Sequence, residues 1–233
     1  MCIRDSLKPD VSFQGNQLLT LLNTIYFKDE WMDRFERRQT KPDAFYVSAQ
    51  QTVQCDYMNR TYAMHPYTRG EGFTRSALSL KNGGRMVFIL PDQGVSVDTL
   101  LASPQKAASL FLGVDQGTGK VVFQIPKFSF GSKLNLKKTL HAMGVRCAFE
   151  SDQADFSGMT QDQAFFSQIL QETHIAIDEK GVEAAAFTKL DYAGTAAPNE
   201  KEAYMILNRP FLYGIVSDGV LLFAGVCNQP AES

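Results

Sequence analysis

Three histidines, four cysteines and a few short motifs are the places where this sequence could carry chemistry, and none completes a reactive set. His65, His141 and His174 each stand apart from Cys or carboxylate partners at metal-ligand spacing, so no metal site is expected. Gly117-Thr118-Gly119-Lys120 has the outline of a phosphate-cradling loop. Val114 and Val121, however, occupy the positions that need Gly and Ser or Thr, and a turn is the better reading. Asp155-Phe156-Ser157-Gly158 is no nucleophile elbow, because Asp155 and Met159 stand where that strained turn needs its two glycines. Asn59-Arg60-Thr61 fits the glycosylation sequon, a pattern short enough to recur by chance. Cys2, Cys55, Cys147 and Cys227 are far apart with no C-x-x-C pair, and they read as free, mostly buried thiols. The expectation is a non-enzyme without a cofactor.

Composition narrows the classes further. The 233 residues carry 23 Lys+Arg against 25 Asp+Glu, a net charge of -2, which lacks the basic footprint of a nucleic-acid binder. At 44% hydrophobic the chain can bury a substantial core and is too apolar to be disordered. The densest charge stretch, Lys28 to Lys41, alternates in sign and reads as a solvated surface. The longest apolar runs, Leu18 to Leu22 and Val220 to Val226, are far below the roughly 20 residues of a membrane span. No membrane partner is expected. Met1 to Ser6 lacks the apolar core of a signal peptide and does not read as the start of a structural element.

The elements that would position any site are mostly strands. Leu18 to Phe27 is almost continuously apolar, as in a central strand covered on both faces. Ala44 to Val47, Thr52 to Met58, Tyr62 to Met64, Phe73 to Leu80 and Arg85 to Leu90 follow as shorter strands. Asn82-Gly83-Gly84 joins the last two as a hairpin turn. Between Ser96 and Leu112, Ser103-Pro104 divides two short helices, since Ser caps and Pro opens a helix. Val121 to Phe128 alternates as a strand. Asn135 caps a helix carrying Leu136, Leu140 and Met143 on one face, and Gly144 ends it. Ile169 to Asp178 alternates once more, and a further strand runs from Ala203 to Leu207.

Alternation stops at Gly181. The stretch to Pro198, GVEAAAFTKLDYAGTAAP, has little side chain to pack: Ala184-Ala185-Ala186, then Ala193-Gly194-Thr195-Ala196-Ala197. One reading is a surface loop or helix start, since Ala is the best helix former. The other is an exposed bait loop able to become a strand, its small residues letting it slide into a sheet without overpacking.

Ile177 to Ala186 (IDEKGVEAAA) resembles the proximal hinge of the serpins, serine-protease inhibitors whose reactive loop inserts into a β-sheet. Other blocks agree in order: Asn23 to Lys28 with Trp31 and Phe35, Arg85 to Pro91, Ala154 to Gly158, Asn208 to Leu212 and Leu222 to Val226. The resemblance implies an α+β fold of mixed β-sheets with surrounding helices. It covers the C-terminal portion of a bacterial-type member and lacks the N-terminal helices and first strands of the large sheet. Residues 18–233 would form that part of one domain, with the reactive loop at about 181–198, after a leader of residues 1–17 that matches nothing in the family. A truncated chain, alone not competent to inhibit, is the expectation.

The resemblance also implies the site. The hinge would comprise Glu179, Lys180, Gly181, Val182, Glu183, Ala184, Ala185 and Ala186. Val182 and Phe187 depart from the family's small residues, but alternation puts Val182, Ala184, Ala186 and Thr188 on one face and Phe187 on the other. The family's count from the hinge glycine makes Thr195–Ala196 the cleaved bond, with Tyr192 an alternative cleavage residue. Small flanking side chains suit an elastase-like or subtilisin-like protease. Lys127 and Glu179 would pair at the end of the large sheet where the loop enters. The whole protein would be a monomer, extracellular or in the cell envelope. A non-inhibitory carrier or chaperone is the competing reading.

Overall fold

The computed structural model describes residues 19–182 and 202–230. Numbered in chain order, the strands are β1 (Leu19–Tyr26), β2 (Asp29–Glu30), β3 (Lys41–Tyr46), β4 (Thr52–Gly70), β5 (Phe73–Ser79) and β6 (Arg85–Pro91), then β7 (Gly117–Pro126) and β8 (Phe128–Asn135). They continue with β9 (Phe166–Ile177), β10 (Gly181–Val182), β11 (Glu202–Ile206), β12 (Phe211–Ser217) and β13 (Val220–Cys227). The helices are α1 (Val97–Leu100), α2 (Pro104–Leu112) and α3 (Lys137–Ala142). This is an α+β chain dominated by strands, and among the described residues no helix is long and apolar enough to cross a membrane.

The chain divides into two compact units. One holds β1 and the Phe130–Ile175 segment, with a three-stranded sheet in the order β1-β9-β8. β1 runs parallel to β9 from Thr20 opposite Gln168 to Tyr26 opposite His174. The reading of β1 as a central strand is corrected here. Among the described residues it pairs on the β9 side only, and Leu21 is 46% exposed. An apolar run reports what a strand is suited to lie under, not which neighbours are present. In α3, Asn135 Oδ1 accepts the Lys137 N–H at 3.1 Å, and Gly144 at φ +99° follows the end of the helix. The expected apolar face stops short, because the helix has only six residues and Met143 lies beyond its last turn, 74% exposed.

The other unit holds Lys28–Ser129 and Ala176–Ser233, with an eight-stranded sheet ordered β11-β7-β4-β5-β6-β12-β13 and β3 attached to β4. Thr52 to Met58 and Tyr62 to Met64, expected as separate strands, are one strand of 19 residues whose register against β7 shifts between Tyr62 and His65. Polar Asn59 and Arg60 look like punctuation in sequence, yet they continue the ladder because a strand needs only one apolar face. The cap at Ser103 forms as the sequence predicts, accepting from Lys106 N, and Ser96 caps the first helix as well, accepting from Thr99 N. Leu100, Leu110 and Phe111 from the two helices pack with Val87, Ile89, Leu212 and Val216. Gly214 is required there, since a Cβ would lie 2.6 Å from the Phe111 ring. Free thiols are described at three positions: Cys227 is buried, Cys55 half-buried and Cys147 exposed. The expectation of mostly buried thiols is thus corrected at Cys147, which sits in a short 3-10 turn rather than a strand.

Candidate functional site at the end of β9

β9 leads into a tight turn built around one carboxylate. Asp178 Oδ1 accepts the backbone N–H groups of Lys180 (2.7 Å) and Gly181 (3.2 Å), and Asp178 N donates to Gly181 O at 3.1 Å. The chain thereby reverses into β10. Side-chain acceptance by Asp at a turn is local chemistry that competes with continuation of the strand, which is why alternation ends here.

β10 pairs antiparallel with β2, Gly181 opposite Glu30 and Val182 opposite Asp29. Only glycine fits at 181: its φ is +148°, and a Cβ would meet Glu30 Cα at 2.5 Å, Asp29 O at 2.6 Å and Trp31 N at 2.8 Å. The segment after β2 holds the turn as well. Trp31 N donates to Lys180 O (3.2 Å), Phe35 N to Glu179 O (3.0 Å), and the Trp31 indole Nε1 to Asp178 O (2.9 Å). Trp31 is 1% exposed and packs edge-on to Phe35 at 6.0 Å between ring centres.

Glu179 is buried beside this turn. Its Oε1 accepts the Thr40 hydroxyl at 2.8 Å and lies 3.4 Å from Lys127 Nζ. Burial pushes the carboxyl up, but its own backbone N–H, the Thr40 hydroxyl and the Lys127 ammonium outweigh that and hold it below the usual range. Glu30 is held low chiefly by Lys81 and then Arg34, against its own burial. The mixed-charge stretch from Lys28 to Lys41 is therefore not uniformly the solvated surface its sequence suggests: Asp29 is 4% exposed and Glu30 9%, each with polar partners.

The other end of the 183–201 segment is fixed differently. β11 runs parallel to β7 at the edge of the eight-stranded sheet, with Ala203, Met205 and the following Leu207 at 0% exposure and Tyr204 facing out. Its first residue, Glu202, takes Lys120 Nζ at 2.8 Å on one carboxylate oxygen and the Tyr204 hydroxyl on the other, while Arg69 donates to its backbone carbonyl. A short buried turn on one side and a packed strand on the other thus bracket the alanine-rich segment.

The family model described as "Serpin (serine protease inhibitor)" matches residues 2–230. The chain belongs to the serpin family. It is similar to the alpha-1-antitrypsin homolog of Cyprinus carpio, 33% identical over 222 residues, covering 94% of this chain and 58% of that protein. Human Serpin B13 is 28% identical over 226 residues, covering 93% and 57%. Among solved structures, human thyroxine-binding globulin superposes with a TM-score of 0.80 at 26% identity, covering 95% of this chain and 59% of that one. The serpin chain therefore spans somewhat more than half the length of the relatives it matches.

Of the residues expected at the hinge, the structure brings Lys127 and Glu179 together and gives the backbone of Lys180, Gly181 and Val182. Glu183, Ala184, Ala185, Ala186, Tyr192, Thr195 and Ala196 lie outside the described residues. Thr40, Asp29 and Glu30 are the hinge partners that sequence reasoning missed. No local sequence signal marks them, because the groups that cover them are distant in the chain.

Proposed function

We propose that this serpin inhibits serine proteases as a suicide substrate. The protease cleaves Thr195–Ala196 to an acyl-enzyme, and the segment from Gly181 onward joins the large sheet of the complete protein as a new strand before the acyl bond is hydrolysed. The tethered protease is carried off and its active site distorted. Insertion releases strain and adds backbone hydrogen bonds worth about 1 kcal/mol each net.

The observation that supports this reading best is the β10–β2 pair. Its antiparallel register is one from which a strand can grow. The residues that follow it in sequence include Ala184 and Ala186, small enough to enter a sheet where large side chains would overpack. The small residues around Thr195 suit the shallow pocket of an elastase-like or subtilisin-like enzyme. The expected setting is extracellular or in the cell envelope, the complete protein acting as a monomer.

A carrier role is the second reading, favoured by the likeness to thyroxine-binding globulin. The hinge separates the two. Carriers need no insertion and tolerate bulk or charge on the inserting face, whereas Val182, Ala184, Ala186 and Thr188 present neither. The test is incubation of the chain, completed to the length of its relatives, with pancreatic elastase and with subtilisin. A denaturant-resistant complex supports inhibition; complete turnover without complex supports the carrier reading.

A further inference from the structure

The β10–β2 pair is only two residues long on each side, and isolated pairs so short are barely stable in water. What steadies β2 comes from its other flank. The β5–β6 turn grips it with both backbone and side chains. Asn82 donates its backbone N–H to Asp29 Oδ2 at 3.3 Å and its side-chain Nδ2 to Asp29 Oδ1 at 3.0 Å. Lys81 donates its backbone N–H to Glu30 O at 2.9 Å and its ammonium to Glu30 Oε2. Trp31 bridges to Leu80, and Met32 N donates to Ser79 O at 2.8 Å.

The segment from Asp29 to Phe35 is therefore held on two sides. The turn holds one flank; the hinge hangs on the other through Gly181 opposite Glu30, Trp31 N to Lys180 O, and Phe35 N to Glu179 O. Arg34, which shares Glu30 Oε2 with Lys81 at 2.6 Å, ties the same stretch to itself. Asp29 and Glu30 are buried and charged, an arrangement that is costly unless each carboxylate keeps its hydrogen-bonding partners.

We propose that Lys81 and Asn82 are positioning residues for loop insertion. They act through Asp29 and Glu30 to keep β2 extended as the template on which β10 starts the inserted strand. The inference rests on the inhibitory reading above and adds to it a control point on a surface hairpin. Loosening the turn lets β2 waver, slows the start of insertion and gives hydrolysis of the acyl-enzyme more time.

Both side chains belong to solvent-exposed residues, so their substitution need not disturb the core. In the chain completed to its relatives' length, Lys81→Met and Asn82→Ala should each raise the amount of inhibitor consumed per protease inhibited. The expected rise is roughly two- to tenfold, the factor produced by losing a typical hydrogen bond. The rate constant for protease association should stay unchanged, because the bait segment is unaltered. Lys81→Arg should retain the parent stoichiometry. Hydrogen exchange at the Trp31 and Phe35 amides should quicken in the two disrupting variants, a readout independent of any protease. Faster exchange with raised stoichiometry supports the proposal. Unchanged exchange overturns it, and so does faster exchange at unchanged stoichiometry. If the parent protein forms no complex at all, the inhibitory reading falls and this role with it, whatever the exchange rates show.

Discussion

The two ends of the alanine-rich segment are anchored by opposite means. At the proximal end, β10 is two residues long, starts with a glycine that only that residue type can occupy, and relies on backbone groups of Asp29 to Phe35. At the distal end, β11 pairs five residues with β7 and buries Ala203 and Met205, with Leu207 buried just after it. The difference teaches a direction. On the proposed mechanism, a cut between the two anchors would leave the distal part gripped by a packed strand and the proximal part on a two-residue pairing that insertion would have to lengthen.

The largest effect is expected at the growing end. Ala184→Arg or Ala186→Arg in the completed chain would force a cation into the sheet at a cost of several kcal/mol, so hydrolysis overtakes insertion and the inhibitor becomes a substrate. Unchanged complex yield on denaturing gels in both variants would refute the assignment of the inserting face.

Next in size is the buried hinge carboxylate. Glu179→Lys replaces an attractive contact with Lys127 by repulsion and strands the Thr40 hydroxyl, a loss of about 2–3 kcal/mol. Thermal unfolding should shift down and polymerisation should rise. If both stay at parent values, the ion pair has no role in holding the hinge. Gly181→Ala follows, at about 1–3 kcal/mol, because the new methyl meets the backbone of Glu30, Asp29 and Trp31 at an unfavourable φ. The β10–β2 pair should open, seen as faster exchange of the Trp31 amide, with parent-like exchange counting against the steric argument.

The smallest effects belong to the distal anchor. Its carboxylate, like Glu179, titrates below the usual range, held there chiefly by the Lys120 and Tyr204 hydrogen bonds. A depressed carboxyl pKa contributes stability that is fully present above the ordinary value of 4.5 and is lost as pH falls through the lower folded value. Acid should weaken both ends. Glu179→Gln should flatten the acid limb of thermal stability more than Lys120→Ala does, because Glu202 is partly exposed and screened by water. The reverse order would invert the comparison.

Much of this was readable from residues. Ser103 announces the second helix start, the glycines after Asn82 announce the hairpin, and Gly181 marks the end of alternation because glycine alone tolerates the backbone there. The serpin motifs named the fold. Sequence did not reveal that Asp29 and Glu30 are buried, since a mixed-sign run looks solvated until a partner distant in the chain covers it. Gly181 and Asn82 are those partners, and neither proximity follows from local pattern. Thr40 escaped for the same reason. The long β4 reads as two strands because polar residues on an open face resemble a break.

The most direct measurement of the central claim is mass spectrometry of the peptide released when the completed chain meets elastase. A denaturant-resistant complex accompanied by a fragment beginning at Ala196 is the predicted result. Complete cleavage with no complex, or a complex whose released fragment begins at Ala193 after a cut at Tyr192, would contradict it.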